Sequence, residues 1–150
     1  MRKFERIKRS VADLPQRATE KSAGYDIKAY GATIINPMEC KNIPTGLKVK
    51  LNKDEYLQLV ARSSLYKKYN CIIPSGFGVI DSDYYNNTGN EGHFMMPLLN
   101  LSNTPVLIPF GERIAQGIFV KYLKTDDDVP VLQVRKGGFG STDVWCIIIF

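Results

Sequence analysis

Arg62-Ser63-Ser64 brings a guanidinium, two hydroxyls and, if a helix begins here, unpaired backbone N–H groups into one short stretch. That is equipment for gripping an anion such as a phosphate. A serine helix cap beside a surface arginine would give the same string. Ser75-Gly76-Phe77-Gly78-Val79-Ile80-Asp81-Ser82-Asp83-Tyr84 reads as a glycine-hinged hairpin ending in two carboxylates and a tyrosine. An aspartate fixed there beside bound phosphates, Asp81, would polarise a water for attack on phosphorus. The plainer alternative is a turn whose Asp81 and Asp83 bond to nearby backbone. Near the C-terminus, Gly137-Gly138-Phe139-Gly140-Ser141-Thr142 follows Arg135 and Lys136. Accessible N–H groups, two hydroxyls, flanking cations and one ring can wrap phosphates and stack on a base. As composition alone, it is a flexible glycine-rich tail.

The rest of the chain limits what chemistry is available. His93 is the only histidine among 150 residues, which excludes imidazole-rich metal sites and leaves carboxylates to move protons. Cys40, Cys71 and Cys146 show no Cys-x-x-Cys spacing, so free thiols in a reducing, cytoplasmic setting are expected. No apolar run approaches the roughly 18 residues that span a bilayer, and the first residues lack a signal-peptide core. Twenty Lys and Arg against 15 Asp and Glu give a formal charge of +5, which attracts polyanions without selecting one. These cations are dispersed, with no arginine-rich helix or aromatic strand platform, so no nucleic-acid partner is expected.

The elements that must carry these residues are short. Eight prolines and 12 glycines punctuate the chain and leave no room for a long helix. Ile43 to Leu51, Glu55 to Ala61, His93 to Leu101, Val106 to Ile108 and Ala115 to Leu123 are rich in β-branched or aromatic residues, the pattern of an all-β sandwich or jelly roll. One helix of about two turns is expected over Ser63 to Tyr69, with a serine cap and with Leu65 and Tyr69 on one face. At this length one domain buries its own core without disulfides or structural metal.

In order, Ala23-Gly24-Tyr25-Asp26-Ile27, Ala61-Arg62-Ser63-Ser64-Leu65, Gly78 through Tyr84, Gly111-Glu112-Arg113-Ile114-Ala115-Gln116 and Arg135 through Thr142 resemble the five motifs of the trimeric dUTPase family. The resemblance covers residues 23 to 142. It implies a jelly-roll, β-clip subunit over residues 1–133 and an arm carrying the fifth motif, which in this chain runs over 134–150 and ends in an apolar tail that the family pattern lacks. It also implies a homotrimer with shared sites that hydrolyses dUTP to dUMP and pyrophosphate with Mg2+, limiting uracil in DNA and supplying dUMP for thymidylate synthesis.

Carried over by position, Asp81 matches the base that orients water toward the α-phosphorus. Asp26 matches the acid that holds the water shell of Mg2+, and Arg62, Ser63, Ser64 and Gln116 match the phosphate-contact segment. Tyr84 matches the residue that packs on deoxyribose and excludes a 2'-hydroxyl. Uracil would be read by backbone from Ser75 through Gly78, Val79, Ile80 and Asp81. Phe139 matches the ring over uracil, and Arg135, Lys136, Gly140, Ser141 and Thr142 the clamp on the β- and γ-phosphates.

The chain departs from that pattern in places. Ser64 stands where glycine is common, Ser75 where asparagine is, and Tyr85-Asn86 where an Arg-Gly pair is. Arg135 precedes Phe139 by four residues where five are expected, and Asn86 through His93 form a longer, more polar link than usual. The apolar end Val144 through Phe150 is expected to dock rather than stay exposed. A dCTP deaminase would share the Arg-Ser-Ser segment, with Glu91 the available acid. A dUTP-binding regulator with little turnover is the alternative from outside the enzymes.

Overall fold

A computed structural model describes residues 1–129. Its strands run in chain order β1 (Lys3–Arg6), β2 (Gln16–Arg17), β3 (Tyr25–Lys28), β4 (Thr33–Ile35), β5 (Cys40–Pro44), β6 (Leu47–Lys50) and β7 (Glu55–Ala61). Helix α1 (Ser63–Tyr69) precedes β8 (Cys71–Ile72) and β9 (Phe77–Asp81), and a 3-10 turn over Ser82–Tyr84 follows. The last strands are β10 (Met95–Asn100), β11 (Val106–Ile108) and β12 (Arg113–Lys121). The proposed arm, with Arg135, Lys136, Phe139, Gly140, Ser141 and Thr142, and Cys146 lie outside the described residues.

Alternation along β7 explains why it forms a strand with one face inward. Glu55, Leu57 and Leu59 are buried, and Tyr56, Gln58 and Val60 between them are half-buried, the two-residue period of a pleated strand. Leu57 and Leu59 join Ile27, Ala115, Phe94, Met96 and Leu98 in an apolar core. All strand pairs are antiparallel and fall into a five-stranded sheet, β2-β3-β12-β7-β9, a three-stranded β5-β10-β8, and the pairs β1-β6 and β4-β11. Mostly strands with a single α-helix among the described residues, the architecture matches the expected all-β class.

Three local expectations are corrected. The segment Ile43 to Leu51 is two strands: Gly46 takes φ +70, and the buried Thr45 hydroxyl donates to Phe94 O at 2.6 Å and accepts from Leu47 N. Ser63 does not cap α1. Arg62 occupies the cap position without a side-chain cap bond, and Asn70 closes the far end in the left-handed conformation. The stretch from Ser75 is not a hairpin, because β8 pairs with β10 while β9 pairs with β7. Gly76, at φ +80 with its N–H on Ile73 O, turns a corner between two sheets.

Candidate active site

Asp26 on β3 lies opposite Gln116 on β12, which lies opposite Val60 on β7. Because directly opposed residues share a face, Asp26 and Gln116 project from the same side of the sheet, away from the buried Ile27 and Ala115. Arg62 follows the end of β7, and its guanidinium forms an ion pair with Asp26 Oδ1. Arg113 reaches Asp26 Oδ2 at 3.2 Å. A bulge between Arg113 and Ala115 makes this possible: Ile114 and Ala115 are consecutive yet both fully buried, and the extra residue re-aims Arg113. Sequence reasoning gave Arg113 no role, since a bulge is a pairing event that spacing does not reveal.

Motif two is tied to motif four through Glu112. Its carboxylate accepts Tyr69 Oη at 2.8 Å and Lys68 Nζ at 3.1 Å, which fastens α1 to the start of β12. Burial would raise this carboxyl, but the bonds from Tyr69 and Lys68 bring it below its ordinary value. With Arg62 held on Asp26 and α1 held on Glu112, the first N–H groups of α1, at Ser63 and Ser64, sit beside a guanidinium. The first turn of a helix leaves such N–H groups without intrahelical acceptors. Gly24 is also explained: a Cβ there would lie 2.4 Å from Gln116 Oε1 and 3.0 Å from Gln116 Cβ. The glycine is the space over which Gln116 lies.

Asp81, Tyr84 and the Ser75–Ile80 backbone gather elsewhere. β9 is an edge strand of the five-stranded sheet, so one row of its backbone donors and acceptors faces away from β7. Asp81 ends β9 opposite Tyr56 and occupies the position before the 3-10 turn without a side-chain cap bond. The Tyr84 ring is almost wholly buried. Its hydroxyl donates to His93 O at 3.2 Å and accepts from Asn90 Nδ2 at 2.8 Å. His93 serves the fold: Nε2 accepts N–H bonds from Thr45 and Gly46, and burial lowers its pKa. Glu91 takes the Lys8 N–H at 2.8 Å.

The structure therefore brings Asp26, Arg62, Ser63, Ser64 and Gln116 together, and places Asp81, Tyr84, Ser75, Gly78, Val79 and Ile80 in a second group. Asp81 is four residues along the strands from the row of Asp26, roughly 13 Å, and three strand spacings across from it, roughly 14 Å. Between them the outer face carries Val60, Ile118, Phe77 and Val79, with Phe77 45% and Val79 49% exposed. Beside Asp26 opens a cleft of about 870 Å3 whose lining includes Arg6, Arg17, Lys28 and Arg113. Among the described residues no cluster of three His, Cys, Asp or Glu could cage a metal ion, and no helix is long and apolar enough to cross a membrane.

Comparison with known proteins gives the same answer as the motifs. The dUTPase family model matches residues 10–143. The deoxyuridine 5'-triphosphate nucleotidohydrolase of Lactococcus lactis is 44% identical over 138 residues, covering 91% of this chain and 92% of the relative. That of Finegoldia magna is 35% identical over 146 residues, covering 93% and 98%. The crystal structure of dUTPase from Streptococcus mutans superposes with a TM-score of 0.81 at 38% identity, covering 83% of this chain and 98% of that one. A dUTPase from phage phi11 of S. aureus, described with a structural Mg(II) ion, shares the fold at a TM-score of 0.71 and 19% identity, covering 89% and 97%. With a family model spanning most of its length and relatives this similar along nearly the whole of both chains, the chain belongs to the dUTPase family.

Proposed function

We propose that this chain hydrolyses dUTP to dUMP and pyrophosphate at sites assembled from more than one copy of itself, in a homotrimer. The observation that carries this reading is the separation of the two groups on one sheet face. A base must lie within hydrogen-bond reach of its water, itself in contact with the phosphorus, and roughly 20 Å between Asp81 and Asp26, taken from strand geometry, prevents that within one chain. The apolar strip between them, with Phe77 and Val79 exposed beside half-buried Val60 and Ile118, is a surface that a second copy would cover.

Asp81 accepts a proton from the water and directs it at the α-phosphorus. Arg62, the Ser63 and Ser64 backbone and Gln116 of another copy hold the phosphate oxygens, so charge gathered in the transition state meets fixed donors. The outward row of β9 backbone groups reads the uracil edge, and the Tyr84 ring lies against the deoxyribose. Arg135, Lys136, Phe139, Gly140, Ser141 and Thr142 close over the bound nucleotide.

Asp26 is the one carboxylate in its cluster, with both oxygens on guanidiniums. It would therefore meet Mg2+ only through the ion's own waters, once triphosphate oxygens draw the guanidiniums away, which fits an ion that keeps its waters and takes its other ligands from phosphate. When bound, Mg2+ would offset phosphate charge; Asp26 would orient its waters. Free Cys40 and Cys71 suit the reducing, cytoplasmic compartment in which nucleotide pools are handled.

The test is parallel incubation with Mg2+ and dUTP, dCTP, dTTP or UTP. Pyrophosphate from dUTP, abolished in Asp81→Asn, is expected; ammonia from dCTP would mean deamination. Tight dUTP binding without turnover would favour the regulator. Assembly is tested by refolding Asp81→Asn together with Arg62→Ala. Each alone is inactive, whereas random mixing restores about a quarter of the sites if the two residues come from different copies.

A further inference from the structure

We propose that Asn90, in the polar link between the 3-10 turn and β10, is a positioning residue that sets Tyr84 for discrimination between deoxyribose and ribose. The inference rests on the reading of Tyr84 as the residue against the sugar. Although rich in glycine and asparagine, residues 86–93 form a closed brace. Asn86 N–H bonds Glu91 O, and Glu91 N–H bonds Asn87 O, both at 3.1 Å. Asn87 Oδ1 accepts the N–H groups of Gly89 and Asn90. The brace is fastened to the body at two further points, by Glu91 on the Lys8 N–H and by His93 on the turn between β5 and β6.

Tyr84 is held by this brace at both ends. Its carbonyl accepts Asn87 Nδ2 at 2.9 Å, and its hydroxyl is bonded to Asn90 Nδ2 and His93 O. Asn90 is the hub: Nδ2 donates to the phenol and to His93 O, and Oδ1 accepts Asn87 Nδ2 and the Gly92 N–H. Rejecting a 2'-hydroxyl through ring contact alone is a weak form of selectivity, worth on the order of 10²-fold for one added hydroxyl. It depends on the ring being unable to yield. A ring fixed only by packing retains freedom to tilt; a ring whose far oxygen is fixed by an amide does not.

The experiment measures kcat/KM for dUTP and for UTP in the wild type, Asn90→Ala, Tyr84→Phe, the double variant and Glu91→Ala, with thermal melting of each. Asn90→Ala and Tyr84→Phe should each raise UTP use relative to dUTP on the order of tenfold. The double variant should raise the ratio no further, because both singles remove the bond from Asn90 to the Tyr84 hydroxyl. Glu91→Ala removes only the bond to the Lys8 N–H, leaves the Asn87, Asn90 and Tyr84 bonds in place, and should leave the ratio unchanged. An unchanged ratio in a folded Asn90→Ala overturns the proposal, as does equal loss on both nucleotides, which marks a merely structural role. If Asn90→Ala does not fold, Tyr84→Phe decides: a raised ratio supports the proposal and an unchanged one overturns it. A wild type with no activity on dUTP would instead refute the underlying reading.

Discussion

Gly24→Ala is expected to disable the site while leaving the fold intact. The added Cβ would stand 2.4 Å from Gln116 Oε1, 3.0 Å from its Cβ and 3.1 Å from its Cδ. The closest of these belongs to the movable end of a side chain, so Gln116 swings away before the strands separate. Gly24 is not among the positive-φ glycines, and losing a glycine from the unfolded chain favours folding by about 0.4–1 kcal/mol. This offsets the small adjustment between β3 and β12, and net stability should change by less than about 1 kcal/mol. A displaced Gln116 no longer meets the phosphate, and removing one oriented donor to developing charge typically costs roughly 10²-fold in kcat. Pyrophosphate release from saturating dUTP measures the rate, and urea denaturation measures the stability. Gln116→Ala should show the same loss, and Gly24→Ala with Gln116→Ala no more than either alone. A kcat within threefold of wild type in Gly24→Ala, or a double variant whose loss is the product of the singles, would refute the reasoning.

Other outcomes follow from the same geometry. Gly92 has φ +83, and a Cβ there would meet Tyr84 O at 2.7 Å, Asn86 N at 2.9 Å and Tyr85 Cα at 3.0 Å. All three are backbone atoms that cannot turn aside, so Gly92→Ala should lower stability by about 2–4 kcal/mol in a denaturant titration. Acid stability should depend on the N-terminal strand. The bond from Arg2, aided by Asn52, holds the Glu55 carboxyl at about 2, below its ordinary 4.5. A depressed carboxylate contributes stability that is complete above about pH 4.5 and is lost as pH falls toward 2. Melting temperatures of wild type and Arg2→Met should therefore differ most at neutral pH and converge across that window.

Much of this was legible before any coordinates. Helix Ser63–Tyr69 and strands Glu55–Ala61 and Val106–Ile108 fall where the residue patterns put them, because local burial periodicity and chain-breaking residues act over a few neighbours. The ordered resemblance of five short segments to the dUTPase motifs named the reaction, which the carboxylates, cations and glycine-rich backbone in them left open when read singly. What spacing could not reveal was decided by pairing between distant segments. β3 meets β12 and β1 meets β6, and only that register puts Asp26 opposite Gln116 and separates both from Asp81. The bulge that turns Arg113 onto Asp26, and the bonds that turn a polar link into a brace for Tyr84, arise in the same way. Side-chain identity sets what a residue can do, whereas its partners are set by contacts across the fold, which leave no period in the sequence.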